Sequence, residues 1–196
     1  MEERDFYEGR FLIAMPGMGD PRFEQTVIYM CAHTEQGAMG LVINKPAPDI
    51  TLTGMLEQLG IIGEEEDTIR LPASLRGKPV HLGGPVEPAR GFVLHSSDYH
   101  IPEGTLRVDD AVSLSATLDI LRAMVSGAGP RHSLLALGYA GWGPGQLEGE
   151  MAMNGWLVAD ADEEILFRLP SEQRYEAALA RLGITPGMLS SEAGHS

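Results

Sequence analysis

Cysteine is almost absent: Cys31 is the one thiol in 196 residues. No disulfide can form within the chain, which fits a reducing compartment. Long apolar runs are missing too, and none approaches the roughly 18 residues a membrane-spanning helix requires. The opening Met1-Glu2-Glu3-Arg4-Asp5 lacks the basic start and apolar stretch of a secretory signal. The expected location is the cytoplasm, with no membrane partner. Cations are scarce, with 14 Lys and Arg against 28 Asp and Glu, for a formal charge of −14. Proteins grip nucleic acid by neutralising phosphates with Lys and Arg, so direct nucleic-acid binding is not expected. The acidic surplus serves solubility. Internal repeats, low-complexity tracts and linkers are also lacking. Neither an H-E-x-x-H zinc pair nor a G-x-S-x-G nucleophile elbow occurs, so no metal is expected and a hydrolase serine has no motif to support it.

What is present reads as one domain over residues 1–196, with a small polar tail at about 190–196 that should fray. Hydrophobic residues make up 43% and charged residues 21%, enough apolar material for a sizeable core. Strands are expected at 10–16, at 25–33 (QTVIYMCAH) and at 38–45, the last two forming a hairpin. Further strands are expected at 80–82, 91–95, 155–158 and 165–167. The unbroken apolar stretch 133–139 (SLLALGY) should be central. Gly40 marks a bulge or a close backbone approach. Apolar spacing near 3.6 predicts helices over 51–59 and 113–125, a short one over 145–153, and one over 171–182 capped by Ser171. Residues 63–70 form an acidic connection. Runs of strands with few helices favour an α+β fold over alternating βαβ units.

Three local patterns carry chemical interest. The loop Gly138-Tyr139-Ala140-Gly141-Trp142-Gly143-Pro144-Gly145 lies between a strand and a helix, where backbone N–H groups can hold an anion. Its glycines do not follow the dinucleotide spacing and Pro144 removes a donor, so a tight loop presenting Trp142 is the plainer reading. Next, Gln146, Glu150 and Asn154 stand four apart on one helical face. Glu150 could serve as a general base if buried; a solvated face is the plainer reading. Cys31 and His33 lie two apart on a strand, which puts them on one face with Tyr29. The pair is too small for a metal site and poorly placed for a nucleophile–base bond. His81, His95, His100 and His132 have no ligand spacing.

Three blocks together resemble the AlgH/YqgE family of bacterial proteins: 11–46 (FLIAMPGMGDPRFEQTVIYMCAHTEQGAMGLVINKP), 83–96 (GGPVEPARGFVLHS) and 138–156 (GYAGWGPGQLEGEMAMNGW). The resemblance runs from about residue 9 to about 182. It implies an α+β fold whose strongly bent, mainly antiparallel sheet forms a pseudo-barrel with flanking helices. It carries over no catalytic residue and names no cofactor; whether the chain is an enzyme stays open. Some family members carry the label of a transcriptional regulator. Many matching positions are Gly or Pro and suit an architectural role. The polar minority, Asp20, Asn44, Lys45, His95, Gln146, Glu148, Glu150 and Asn154, together with Trp142, is expected to converge on one polar cleft for a small molecule. The alternatives are an adaptor that docks on a protein partner and a transcriptional regulator, the latter disfavoured as a direct DNA binder by the acidic charge.

Overall fold

The structure, a computed structural model, describes residues 6–16, 24–63 and 71–185. Asp20, the distal part of the acidic connection and the 190–196 tail lie outside them. In these residues ten strands run in chain order: β1 (Arg10–Ala14), β2 (Val27–Thr34), β3 (Gly37–Val42), β4 (Pro46–Thr51), β5 (Pro79–Leu82), β6 (Val86–Ser96), β7 (Thr105–Arg107), β8 (Val112–Ser115), β9 (Ser133–Trp142) and β10 (Trp156–Asp160). Among the described residues four α-helices accompany them: α1 (Leu52–Gln58), α2 (Leu118–Val125), α3 (Gln146–Ala152) and α4 (Ser171–Ala180), with a π-helical turn at Glu164–Arg168.

The main path of the sheet is β10-β1-β2-β3-β9-β6-β8-β7, and it curls into the half-barrel that the family resemblance implied. The apolar strand β9 is central, as expected. One edge carries β6 along most of its length; the other carries β5 in parallel at residues 135–137 and β3 antiparallel at 140–142. Gly138 lies where that edge changes partner and has φ +75. The backbones of the Gly83-Gly84 turn and Gly138 meet there. A Cβ on Gly84 would lie 2.1 Å from the Tyr139 carbonyl carbon, and one on Gly138 would lie 2.4 Å from the Gly84 oxygen. Only hydrogen fits in that space.

Alternation along the strands explains why both faces of the sheet are covered. Phe11 and Ile13, Val27 and Tyr29, Leu94 and Leu134 build one core with Leu166, Tyr175 and Leu179 from the π-turn and α4. Residues of opposite parity, Leu12 and Ala14, Ile28 and Met30, pack with Leu147 of α3 and with both tryptophans. Val93 and Leu135 pack under α1 and α2 through Leu52, Leu56, Ile120 and Leu121. Each fully buried large aliphatic side chain contributes about 1.5–3 kcal/mol.

Several boundaries differ from the sequence reading. Residues 112–115, expected as the first turn of a helix over 113–125, form β8; that helix begins at Leu118. The segment Val112-Ser113-Leu114-Ser115 also satisfies a two-residue period, and pairing on both sides with β6 and β7 decides the matter. The expected strand at 165–167 is the π-turn. The short strands β4 and β7 carry too little apolar pattern to have been recognised. Ser171 is not a cap: Pro170 holds that position, and the Ser171 hydroxyl is used elsewhere.

Candidate functional site

The polar residues expected to share one cleft occupy three separate places. At the C-terminal end of β9, Glu150 clamps two indoles. Its Oε1 accepts from Trp142 Nε1 at 3.3 Å and from Trp156 Nε1 at 3.1 Å, and its Oε2 accepts from Gln146 Nε2 at 3.4 Å. Gln146 in turn accepts the Gly143 N–H at 2.9 Å. With both oxygens occupied, Glu150 fastens α3 to β9 and β10; it is not placed as a base. Nearby, Glu148 Oε1 meets His33 Nε2 at 2.5 Å, and His33 Nδ1 accepts the Tyr7 N–H. Asn154, exposed at the end of this helix, takes φ +57, a left-handed turn that asparagine tolerates.

Asn44 and Lys45 do something different. Asn44 accepts the Val27 N–H at 3.0 Å and donates to the Gln25 carbonyl at 2.8 Å, while Lys45 Nζ donates to the Glu24 carbonyl at 2.7 Å. They brace the entry to β2. His95 sits opposite Ser133, at the start of β9. Trp142 is nine residues further along, at the other end of that strand. Asn44, His95 and Glu150 thus have different hydrogen-bond partners, in three constellations. Asp20 lies outside the described residues.

The buried histidines carry the more chemical arrangements. His95 is fully buried. Its Nδ1–H donates to the Ser96 carbonyl at 2.8 Å, since a carbonyl can only accept. Burial lowers its pKa and keeps the ring neutral, which leaves Nε2 as an acceptor 2.8 Å from Ser115 Oγ. Ser115 Oγ is in turn 2.8 Å from Thr105 Oγ1, which accepts the Ile101 N–H. The directions are thereby fixed: Thr105 donates to Ser115, and Ser115 donates to His95.

His81 forms a second serine pair, with Nε2 2.9 Å from Ser171 Oγ and Nδ1 3.1 Å from the Leu135 carbonyl. Here Arg174, 5% exposed, stands 3.2 Å from the same Nε2 and also donates to the Ile43 carbonyl. Burial and the Arg174 charge push His81 down to about 4. A base this weak, with a guanidinium on its lone pair, fastens α4 to the sheet and does not activate Ser171. Burial likewise pushes the Cys31 thiol up to about 12, so Cys31 is an inert core residue. Among the described residues no group of His, Cys, Asp and Glu could hold a metal ion.

Two cavities open on opposite faces of the β6/β8 ribbon. One, of about 740 Å³, is a broad groove containing Arg90, Phe92, Glu103, Tyr139 and Trp142. The other, of about 800 Å³, lies between α1, α2 and the strands β6 and β9. Val93, Leu135 and Leu137 form its floor, Met55, Leu59, Leu118 and Leu121 its walls, and among the described residues Asp49 is the one ionisable group lining it. Of the residues expected to form the cleft, only Trp142 lines either cavity. Ser115 lines the second, and the sequence reading missed it because that segment was read as helix.

A family model described as AlgH-like matches residues 11–187. The chain belongs to the AlgH-like family. It is 56% identical over 191 residues to a UPF0301 protein of Bradyrhizobium diazoefficiens, covering 97% of this chain and 89% of that one. It is 55% identical over 196 residues to a UPF0301 protein of Rhodopseudomonas palustris, covering 100% of this chain and 89% of that one. The solution structure of the AlgH protein from Pseudomonas aeruginosa superposes with a TM-score of 0.77 at 45% identity over the whole of both chains. A crystal structure from Corynebacterium diphtheriae, at 19% identity and a TM-score of 0.69 over 92% of this chain and 90% of that one, shares the fold. The half-barrel with its flanking helices is thus the architecture of AlgH itself.

Proposed function

We propose that this AlgH-like protein binds an apolar small molecule in the crevice between α1 and α2. The crevice itself carries the reading. Its volume of about 800 Å³ falls within the usual 300–1,000 Å³ of ligand sites, which are mostly apolar with a few placed polar groups. Leu59 and Leu118, exposed by 43% and 41%, stand in its walls, where a ligand would remove apolar surface from water. The shortage of cations supports a ligand or a protein as the partner in place of nucleic acid, and the single buried thiol supports a cytoplasmic location.

Gly91 provides the test. It lines the crevice, its φ is not in the left-handed region, and a Cβ there meets nothing within 4 Å. Gly91→Leu should fill the space without disturbing the core. An apolar fluorescent dye such as anilinonaphthalene sulfonate should bind the wild type and lose at least about tenfold in affinity with the variant, the equivalent of 1.4 kcal/mol. Unchanged dye binding in a folded Gly91→Leu protein would remove the crevice from consideration.

A further inference from the structure

We propose that Ser115 is a nucleophile for acyl transfer, activated by His95, and that the crevice beside it receives the apolar acyl chain of an ester or thioester. The proposal rests on the crevice being a ligand site and adds a reaction to it. Ser115 ends β8, and its hydroxyl points its proton at the bare Nε2 of a buried, neutral imidazole 2.8 Å away. The Ser96 carbonyl holds the opposite nitrogen protonated, so the tautomer is the one a general base needs. Among the described residues no guanidinium is bonded to this nitrogen, in contrast to the Ser171–His81 pair. Thr105 donates to the Ser115 oxygen and orients it. Ser115 is 1% exposed yet lies on the crevice wall, so a reactive carbonyl would reach it only from inside an apolar space.

Chain direction supplies the remaining element. Helix α2 begins three residues after Ser115, and its N-cap residue Thr117, also on the crevice wall, makes no side-chain cap bond. The first-turn N–H groups of α2 thus receive no cap from Thr117, and the proposal assigns them as the donors to the oxyanion. In the proposed step, Ser115 Oγ bonds to the acyl carbon while its proton passes to His95 Nε2. The C–O or C–S bond of the substrate then breaks, and the leaving alcohol or thiol takes that proton. Water, deprotonated by the same imidazole, cleaves the acyl-serine to a carboxylic acid and restores the hydroxyl. Ser115 is itself a paired strand residue, and the local sequence Ser113-Leu114-Ser115-Ala116-Thr117 lacks the glycines of a nucleophile elbow, so the arrangement is a Ser–His pair at a strand end and differs from that motif.

The test is covalent. The full chain is treated with a fluorophosphonate bearing an octyl chain, followed by intact mass measurement and peptide mapping. Attack by Ser115 expels fluoride and leaves one phosphonyl group on that residue. The adduct should vanish in Ser115→Ala and in Gly91→Leu, and His95→Gln should slow labelling by about 100-fold. Octanoate p-nitrophenyl ester hydrolysis should fall in parallel. No adduct on Ser115, or an adduct formed equally fast in folded His95→Gln, overturns the proposal. Because Ser115→Ala removes one oxygen atom, mapping the adduct decides the matter even if the His95 variant does not fold. Dye binding that remains sensitive to Gly91→Leu in the absence of any adduct would sink the reaction and leave the binding site standing; loss of both would sink both.

Discussion

His81 shows how one buried side chain makes stability depend on pH. Its pKa is 6.5 when exposed and about 4 in the folded protein, because burial first, and the Arg174 and Lys78 charges after it, penalise the imidazolium. Between those two values the unfolded chain binds a proton that the folded chain refuses, so stability rises with pH across that window. The contribution is complete above about pH 6.5 and is lost progressively as the pH falls towards 4. The full swing is on the order of 3 kcal/mol, from about 1.4 kcal/mol per pKa unit. Urea unfolding at stepped pH should show this slope, and His81→Gln, which does not titrate, should flatten it. An unchanged slope in the variant would mean that other groups cause it. None of this was legible in the sequence. His81 has no motif around it, and its partners Ser171, Leu135 and Arg174 lie 54–93 residues away in the chain.

At the scale of elements, legibility followed length and periodicity. The long strands β2 and β9 and the helix α4 were apparent because each carries a long apolar pattern, whereas of β6 only the buried half, 91–95, was expected. β8 was not, because four residues fit a helical and an extended period equally well, and their partner strands decide between them. That one boundary concealed Ser115. The family signature points mainly to architecture: the Gly83-Gly84 and Gly138 contact, the Asn44 and Lys45 brace, and the Glu150 clamp. The clamp fixes the short helix α3, seven residues long, which could not persist alone. Trp142 and Trp156 are 8% and 3% exposed, so removing Glu150 strands two indole N–H groups away from water. Each such orphan costs about 1–3 kcal/mol. Glu150→Ala should therefore lower stability by about 2–4 kcal/mol, while Glu150→Gln, which keeps an accepting oxygen, should lose about 1 kcal/mol. Urea midpoints read by tryptophan emission separate the two. Equal losses would show that charge matters and the acceptor does not.

The whole molecule is an acidic half-barrel, and its charge limits what it can meet. Of its 14 Lys and Arg, Arg10, Arg90, Arg107, Arg122 and Arg181 already face carboxylates. Arg174 is buried, Lys45 is tied to a carbonyl, and burial together with Arg174 lowers the pKa of Lys78. Phosphate contacts supply most non-specific affinity for DNA, and each needs a free cation at the surface. A net charge of −14 repels the duplex at long range as well, an effect that lowering the salt strengthens because screening weakens. A direct DNA binder would tighten as salt is removed. This protein should do the reverse, giving no mobility shift of duplex DNA even at about 50 mM salt, the low end of the range over which such affinities are compared. Retardation that grows at low salt would require a cationic face formed by cations other than these eight, and would reinstate direct DNA binding. Without retardation, any effect of an AlgH-like protein on transcription must pass through a ligand or a protein partner.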